Sequence, residues 1–190
     1  MVPEKLNTEQ LIELCKNNNQ PAQLEIYNRY YKAMYNTAFR IVKDSFEAED
    51  IMQDSFLIAF TKLGKLKEVK TFGSWLKRIV INNSIQSHNA HSKNTEVPLD
   101  SVLYKINEED SKTPYNETDY DSLKARQILN VLSSLKENYR IALTLNLIEG
   151  YDYEEISEIM NISYANSRTT ISRAKQSLRL KLQTHLSYQK

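Results

Sequence analysis

Residues 152–175, DYEEISEIMNISYANSRTTISRAK, carry the pattern that decides the fold of the C-terminal part of the chain. Asp152 and Glu155 have the spacing of a capping box, in which each side chain binds the backbone N–H of the other residue, so a helix is predicted to begin here. Residues 161–163 are predicted to form a three-residue turn, and a basic helix is predicted from 164 to about 186. A short helix, a tight turn and a longer basic helix together predict a helix-turn-helix.

The second helix of this motif has an apolar face and a basic face. Ile171, Ala174 and Leu178 recur at the helical period and are predicted to face inward. The side chains left on the outward face are Arg168, Thr169, Ser172, Arg173, Lys175, Gln176 and Arg179. A helix fits the major groove of duplex DNA, where each base pair presents a distinct pattern of hydrogen-bond donors and acceptors. The outward face is therefore predicted to contact DNA.

Two kinds of DNA contact are expected along this face. Arg168 and Ser172 are four residues apart near the start of the helix, where side chains of a helix-turn-helix contact bases. An arginine that binds guanine through two hydrogen bonds discriminates against other bases by about 1–3 kcal/mol. Arg173, Lys175 and Arg179 are better placed for phosphates, which anchor a protein without selecting a sequence. The alternative is an ordinary helical hairpin whose basic face is solvated.

The distribution of charge along the chain favours a polyanionic partner. The 190 residues carry a net charge of only +1. However, residues 92–122 hold eight acidic and three basic side chains, whereas residues 163–190 hold six basic side chains and no acidic one. A basic end that follows an acidic middle suggests binding to nucleic acid.

The chain is predicted to be all-α, with two helical domains joined by a flexible acidic linker. Three glycines and four prolines leave few positions for tight turns, which favours long helices over a sheet. Apolar residues at the helical period predict four helices within residues 1–91, which form one bundle-like domain. Residues 92–122 are polar, lack a sustained period and are predicted to be the linker. The helical period returns in residues 123–190, the second domain.

An acidic stripe is predicted on the third helix, which a capping box of Asp44 and Glu47 begins. Asp50 and Asp54 are four residues apart and share a face with Glu47, and Gln53 borders that face. Such a stripe suits docking on a basic helical hairpin. The alternatives are a solvated acidic face and a two-carboxylate metal site, although no histidine is near enough in sequence to complete a familiar metal motif.

The fourth helix, from about 72 to about 90, carries two further candidates for nucleic-acid contacts. Trp75 is predicted to be either a core residue or a platform on which a base stacks, and its spacing with Ile79 favours the core. Asn82 lies in a largely apolar helix, where an amide can bind a base edge with both donor and acceptor. A capping or core amide is the alternative for Asn82. The cations available for phosphate contacts are Lys65, Lys67, Lys70, Lys77 and Arg78.

Three stretches, in order, resemble the extracytoplasmic-function (ECF) sigma factors of the sigma-70 family. Residues 47–60, EAEDIMQDSFLIAF, are similar to region 2.2 of that family. Residues 72–83, FGSWLKRIVINN, are similar to the helix of regions 2.3 and 2.4, and residues 135–175 are similar to region 4. The resemblance covers nearly the whole chain, with a linker where the family has one.

The resemblance implies a protein that binds core RNA polymerase and directs it to promoters. Region 2.2 would dock on the β′ clamp helices, with the β flap as a further polymerase contact. The implied docking residues are Glu47, Asp50, Gln53, Asp54, Phe56 and Leu57. Region 4 would bind the −35 element as duplex, through Ser163, Tyr164, Asn166, Arg168, Thr169, Ser172, Arg173, Lys175, Gln176 and Arg179. Region 2 would open the −10 element and hold it as a single strand, through Lys65, Lys67, Lys70, Trp75, Lys77, Arg78, Asn82 and Asn83.

Some features go beyond or depart from the family pattern. The family implies an anti-sigma factor as a further partner, and a linker whose acids mimic RNA in the polymerase, with a plain tether as the alternative.

Residues 84–93 lack the arginines that are common there in the family. Ser167 stands where the family often has an apolar core residue, and serine is a poor core residue, so an idiosyncratic base specificity is expected.

Two other classes of function are weighed against the resemblance. A helix-turn-helix regulator that acts without polymerase would be a dimer on a palindromic site, whereas a sigma factor is expected to be a monomer with two unlike boxes. A hydrolase would use Glu49, Asp50 and Asp54 around a metal. The sequence has no nucleophile–base pair and no Gly-rich phosphate loop, so no catalysis, cofactor or metal is expected.

The sequence shows neither a signal peptide nor a membrane span, so we expect a cytoplasmic protein that does not insert into membranes. Its single cysteine, Cys15, is predicted to be a core residue.

Overall fold

The computed structural model describes residues 6–94 and 119–187, and every regular element in these two ranges is helical. The α-helices are α1 (Thr8–Lys16), α2 (Gln20–Val42), α3 (Ser45–Thr61), α4 (Phe72–Asn94), α5 (Asp119–Ser133), α6 (Glu137–Leu143), α7 (Tyr153–Met160) and α8 (Tyr164–Ser187). The all-α prediction is confirmed. Most of the predicted linker, residues 95–118, lies outside the described ranges, while α4 and α5 extend into its predicted ends.

Local features of the sequence fix the ends of the first helices. Asn7 and Gln10 form a complete capping box at the start of α1. Asn19 caps α2 and Asp44 caps α3, because each side chain accepts a hydrogen bond from a backbone N–H of the first turn. Lys43, between α2 and α3, has a left-handed φ of 67°, which ends α2 and turns the chain back.

Helices α1–α4 pack around one apolar core and form the first domain, in which α2 contacts the other three helices. Aromatic rings fill its middle: the ring of Phe56 lies 4.9 Å from that of Tyr27, and the ring of Phe72 lies 5.5 Å from that of Tyr30. Cys15 is buried in this core, as predicted. Burial raises the pKa of its thiol to about 11, so the sulfur is protonated and unreactive at neutral pH.

Helices α5–α8 form the second domain, in which α8 packs against α5, α6 and α7. The apolar positions from Ala142 to Ile148 predict one helix that stops near Gly150, whereas the backbone after α6 continues as a π-helical turn at Thr144–Ile148. Gly150 then stops the helix at a φ of 82°, a conformation that glycine adopts without strain. None of the helices in the described part of the chain is both long and apolar enough to cross a membrane.

The predicted helix-turn-helix is present as α7, residues 161–163 and α8. The Asp152 carboxylate accepts hydrogen bonds of 2.8 Å from the N–H groups of Glu154 and Glu155, and the Glu155 carboxylate accepts one of 3.0 Å from the Asp152 N–H. This is the capping box expected from the sequence. Asn161 ends α7 in the left-handed region, at a φ of 52°.

Asp152→Ala is expected to lower the free energy of unfolding of the second domain by about 1 kcal/mol, since the first turn of α7 loses its acceptor. Urea titration followed by circular dichroism measures the change. Asp152→Asn, which keeps an acceptor oxygen, serves as the control, and its free energy of unfolding is expected to fall much less. Equal losses in the two variants would show that the cap does not stabilise the domain.

The two domains share a second apolar core, which the sequence does not predict. Ile41 at the end of α2 and Ile81 and Ile85 of α4 pack with buried residues of the second domain. Arg140 of α6 reaches across the boundary, and its Nη1 donates to the carbonyl oxygens of Arg40 and, at 3.0 Å, of Ile41. Carbonyls in the last turn of a helix have no partner within the helix, so the guanidinium of one domain caps a helix of the other.

Candidate nucleic-acid interface

Helix α8 and the turn before it present the predicted −35 residues to solvent. The exposed ones are Ser163, Tyr164, Asn166, Arg168, Thr169, Ser172, Arg173, Gln176 and Arg179, whereas Lys175 is half-buried. Ile171, Ala174 and Leu178 are buried on the opposite side, as predicted. The face is therefore open to a duplex along its length.

Ser167 is a core residue of the helix-turn-helix, although sequence reasoning makes serine a poor choice there. Its side chain is fully buried, and its hydroxyl donates a hydrogen bond of 2.8 Å to the carbonyl oxygen of Tyr153. Because Tyr153 begins α7, this bond joins the two helices of the motif. A buried hydroxyl that has a partner costs little, which explains how a serine replaces an apolar side chain here.

The basic residues in the first turns of α4 face the second domain. The Lys77 Nζ lies 3.0 Å from the Glu149 Oε2. The Arg78 Nη2 lies 3.7 Å from the Glu158 Oε2, and its guanidinium lies 5.1 Å from the centre of the Tyr151 ring. The structure therefore covers two of the predicted −10 cations with acidic and aromatic side chains. The loop cations Lys65, Lys67 and Lys70 are exposed.

The other predicted −10 residues of α4 differ in their surroundings. Asn82 is exposed and lines an open groove of about 540 Å³, to which Ile159 of α7 also contributes. Asn83 is half-buried, and its Nδ2 donates a hydrogen bond of 3.0 Å to the Ser55 hydroxyl of α3. Trp75 packs half-buried against the core of the first domain, the outcome that its spacing favours. Asn83 and Trp75 thus hold the domain together, and Asn82 alone of the three faces open space.

Helix α3 presents a stripe of acidic, amide and apolar side chains to solvent. Asp50, Gln53 and Asp54 are exposed, and Leu57 is 66% exposed. Phe46, one turn before Asp50, is 76% exposed. These five residues fall within about 100° around the helix axis, so they lie on one side of the helix and are called the α3 face below. Sequence reasoning missed Phe46, although its spacing to Asp50 and Gln53 contained the information.

Two residues predicted to dock on the polymerase lie elsewhere. Phe56 is only 2% exposed, and its ring lies 6.0 Å from that of Phe60 inside the core. The docking prediction for Phe56 is corrected on this point, because neighbours in a helix point about 100° apart and Leu57 takes the outward position. Glu47 is half-buried, and its carboxylate accepts a hydrogen bond from the Ser87 hydroxyl of α4.

Two family models match the chain: sigma-70 region 2 at residues 26–94, and sigma-70 region 4 at residues 125–178. The ECF RNA polymerase sigma factor SigM of Bacillus subtilis is 29% identical over 155 residues, 82% of this chain and 91% of the relative. The ECF RNA polymerase sigma-E factor of Haemophilus influenzae is 27% identical over 186 residues, 95% of this chain and 97% of the relative. The chain belongs to the ECF group of the sigma-70 family.

Two solved structures have the same fold as this ECF sigma factor. CnrH, solved in complex with the cytosolic domain of CnrY, aligns with a TM-score of 0.53 and 20% identity, over 93% of this chain and 97% of that chain. RpoE from Bartonella quintana, solved with the anti-sigma factor NepR, aligns with a TM-score of 0.54 and 20% identity, over 84% and 95%. At this identity the similarity supports the fold of the sigma factor.

The sigma-70 matches contain the surfaces described above. The region 2 match includes the α3 face and the whole of α4, and the region 4 match includes α7, the turn and α8 up to Leu178. In this sigma factor, the contact between the domains is thus a contact between region 2 and region 4. It covers Lys77 and Arg78 and leaves the exposed face of α8 free.

Proposed function

We propose that this sigma factor docks on core RNA polymerase through the α3 face, holds the −10 element on α4 and binds the −35 element through α8. One observation carries the proposal: a single chain presents an exposed acidic and apolar stripe in region 2 and an exposed basic helix-turn-helix in region 4. A regulator that acts without polymerase needs only the second of these. The presence of both surfaces in one chain supports a protein that binds core RNA polymerase and the −10 and −35 elements at the same time.

The chemistry of the α3 face fits a basic helical hairpin such as the β′ clamp helices. Asp50 and Asp54 supply the charge that steers a basic partner to the surface. Phe46 and Leu57 supply apolar anchors, and an aromatic anchor in a desolvated pocket commonly dominates the affinity of an interface. The β flap is proposed as the second polymerase contact, through region 4.

Holding an opened −10 element requires a polar partner for an extruded base. The Asn82 amide has no hydrogen bond to the rest of the described chain and borders the open groove beside α7. Unstacking a base costs a few kcal/mol, which hydrogen bonds to its edge offset. The exposed Lys65, Lys67 and Lys70, in the loop before α4, supply phosphate contacts to the same strand.

The proposed organisation follows the family: region 2 in residues 1–91, an acidic linker in 92–122 and region 4 in 123–190. The sigma factor is proposed to act as a monomer in the cytoplasm, where polymerase and promoters are. An anti-sigma factor is the expected regulator, since RpoE was solved with one. The protein lends promoter specificity to the polymerase and carries out no catalysis itself.

Run-off transcription with purified bacterial core polymerase tests this function. Genomic promoter fragments are transcribed with and without the sigma factor, and the starts are mapped. We expect starts that depend on the sigma factor and that share two unlike upstream boxes. If no such starts appear, and the protein also fails to bind core polymerase in a pull-down, the proposed function is wrong.

Arg168→Ala and Lys175→Ala are expected to weaken −35 binding in different ways. Loss of the Arg168 guanidinium is expected to reduce the difference in binding free energy between the preferred base and the other bases by about 1–3 kcal/mol at one position. Loss of the Lys175 ammonium is expected to weaken binding on all sequences. The slope of log affinity against log salt concentration should also become shallower, by the amount expected for about one phosphate contact. Fluorescence anisotropy on a panel of −35 duplexes measures both, with thermal melting as the control for folding. Equal effects on specificity would contradict this division.

A further inference from the structure

The Glu149 carboxylate of region 4 is buried against three polar side chains of region 2, Thr37, Arg40 and Lys77, which are together called the pocket below. Its side chain is only 2% exposed. The Oε1 accepts a hydrogen bond of 3.2 Å from the Thr37 hydroxyl and lies 3.5 Å from the Arg40 Nη1, both on α2. The Oε2 lies 3.0 Å from the Lys77 Nζ on α4. A guanidinium, an ammonium and a hydroxyl from two helices therefore converge on one carboxylate.

The donors of this pocket match the chemistry of a nucleic-acid phosphate. A phosphodiester, like a carboxylate, carries one negative charge and two terminal oxygens, and Arg, Lys and Thr side chains are common phosphate partners. We propose that Thr37, Arg40 and Lys77 form a binding site for a backbone phosphate of the opened promoter strand, and that Glu149 occupies this site as a phosphate mimic while the two regions are in contact. The inference rests on the proposed function and adds a phosphate-binding site to it.

The surroundings of the pocket support an anionic ligand. Arg78, the neighbour of Lys77, lies 3.7 Å from the exposed carboxylate of Glu158 and against the ring of Tyr151, so region 4 offers an acid to both cations in the first turns of α4. At the C-terminal end of α2, Lys43 has no ion pair with an acidic side chain among the described residues. Burial lowers the pKa of the Lys43 ammonium and the nearby positive charge of Arg140 lowers it further, so these two cations lie close together at the end of α2.

Exclusion of the ligand follows from the geometry. The Glu149 side chain is almost completely buried between α2 and α4, so a phosphate cannot enter the pocket while this carboxylate is in it. Separation of region 4 from region 2 would expose Thr37, Arg40 and Lys77 together. The pocket would thus be available in the polymerase-bound protein only if docking separates the two regions.

Binding of a fluorescent single-stranded DNA of 20 A/T-rich nucleotides to the free full-length chain tests the proposal. Glu149→Gln removes the charge of the mimic with little change in shape, and Glu154→Gln, on the exposed side of α7, changes the net charge equally and is the matched control. The uncharged amide loses the ion pairs with Arg40 and Lys77, so it leaves the pocket more readily than the carboxylate does. We therefore expect Glu149→Gln to bind the strand at least tenfold more tightly than the wild type, and Glu154→Gln to change the affinity less than twofold. The salt dependence of Glu149→Gln should also be steeper by about 0.7 in log–log slope, the value for one more single-strand phosphate.

The double variant Arg40→Gln/Glu149→Gln is expected to lose most of the gain. Equal affinities of Glu149→Gln and Glu154→Gln, or full retention of the gain in the double variant, would overturn the proposal. If Glu149→Gln fails to fold, the lifetime of the promoter complex formed by holoenzyme that carries Arg40→Gln is measured instead. The exposed control is Lys32→Gln. A lifetime at least threefold shorter than that of the control supports the site, and equal lifetimes reject it. Wild-type run-off transcription tests the proposed function separately, so the two failures are distinguishable.

Discussion

Phe46→Ala should leave the sigma factor folded and weaken its binding to core polymerase by about 30-fold, whereas Phe56→Ala should destabilise region 2. Phe46 is 76% exposed at one end of the α3 face, so its ring is available to a partner and adds little to the core. Loss of an aromatic anchor from an interface commonly costs about 2 kcal/mol or more. Phe56 is 2% exposed between Tyr27 and Phe60, and a buried Phe→Ala change costs about 3–5 kcal/mol.

The two variants are compared by urea denaturation and by fluorescence titration with labelled core polymerase. Leu24→Ala provides the control, because Leu24 is a 61% exposed apolar residue of α2 outside the α3 face. It should match the wild type in both measurements. Polymerase binding by Phe46→Ala equal to that of Leu24→Ala would remove Phe46 from the docking surface.

The helix-turn-helix was predictable because its determinants are local. The capping box of Asp152 and Glu155, the left-handed residue at Asn161 and the inward spacing of Ile171 and Ala174 all act within a few residues of the chain. Each fixes a helix end or a helix face without any long-range contact. Ser167 is the exception, because its partner, the Tyr153 carbonyl, is fourteen residues away and no periodicity reveals it.

The α3 face was predictable in part. The acidic spacing of Asp50 and Asp54 located the stripe, but the family motif included both Phe56 and Leu57. Around the helix axis Leu57 lies in the middle of this stripe, whereas Phe56 points about 100° away from Leu57, toward the core, so only Leu57 could dock. Counting by three and four from Asp50 and Asp54 selects Phe46 and Leu57, which are the apolar side chains that the structure exposes.

The contact between the two regions could not be predicted from the sequence. Ile41, Ile81 and Ile85 fit the helical period of their own domain, and nothing local indicates that they pack against a second domain. Glu149 and Arg140 resemble ordinary charged surface residues in sequence. Their burial depends on partners about a hundred residues away, and such pairings follow only from the tertiary arrangement.

Arg140→Ala is expected to separate the two regions and to lower the free energy of unfolding by about 2–3 kcal/mol, because two helix-end carbonyls lose a buried donor. Arg140 is 5% exposed. Burial lowers the pKa of its guanidinium, and the nearby Glu137 carboxylate partly opposes this effect. The hydrogen bonds that the guanidinium donates therefore stabilise a charge that is costly to bury.

Urea denaturation measures the stability of Arg140→Ala, and small-angle scattering measures the separation of the regions as a larger radius of gyration. Arg126→Ala, at an exposed position of α5, removes the same charge and should change neither quantity. If Arg140→Ala behaves like Arg126→Ala, the bonds to the end of α2 do not hold region 4 in place. If the regions do separate, Glu149 leaves its pocket as well, and the free Arg140→Ala chain should then bind single-stranded DNA more tightly without any change in the pocket itself.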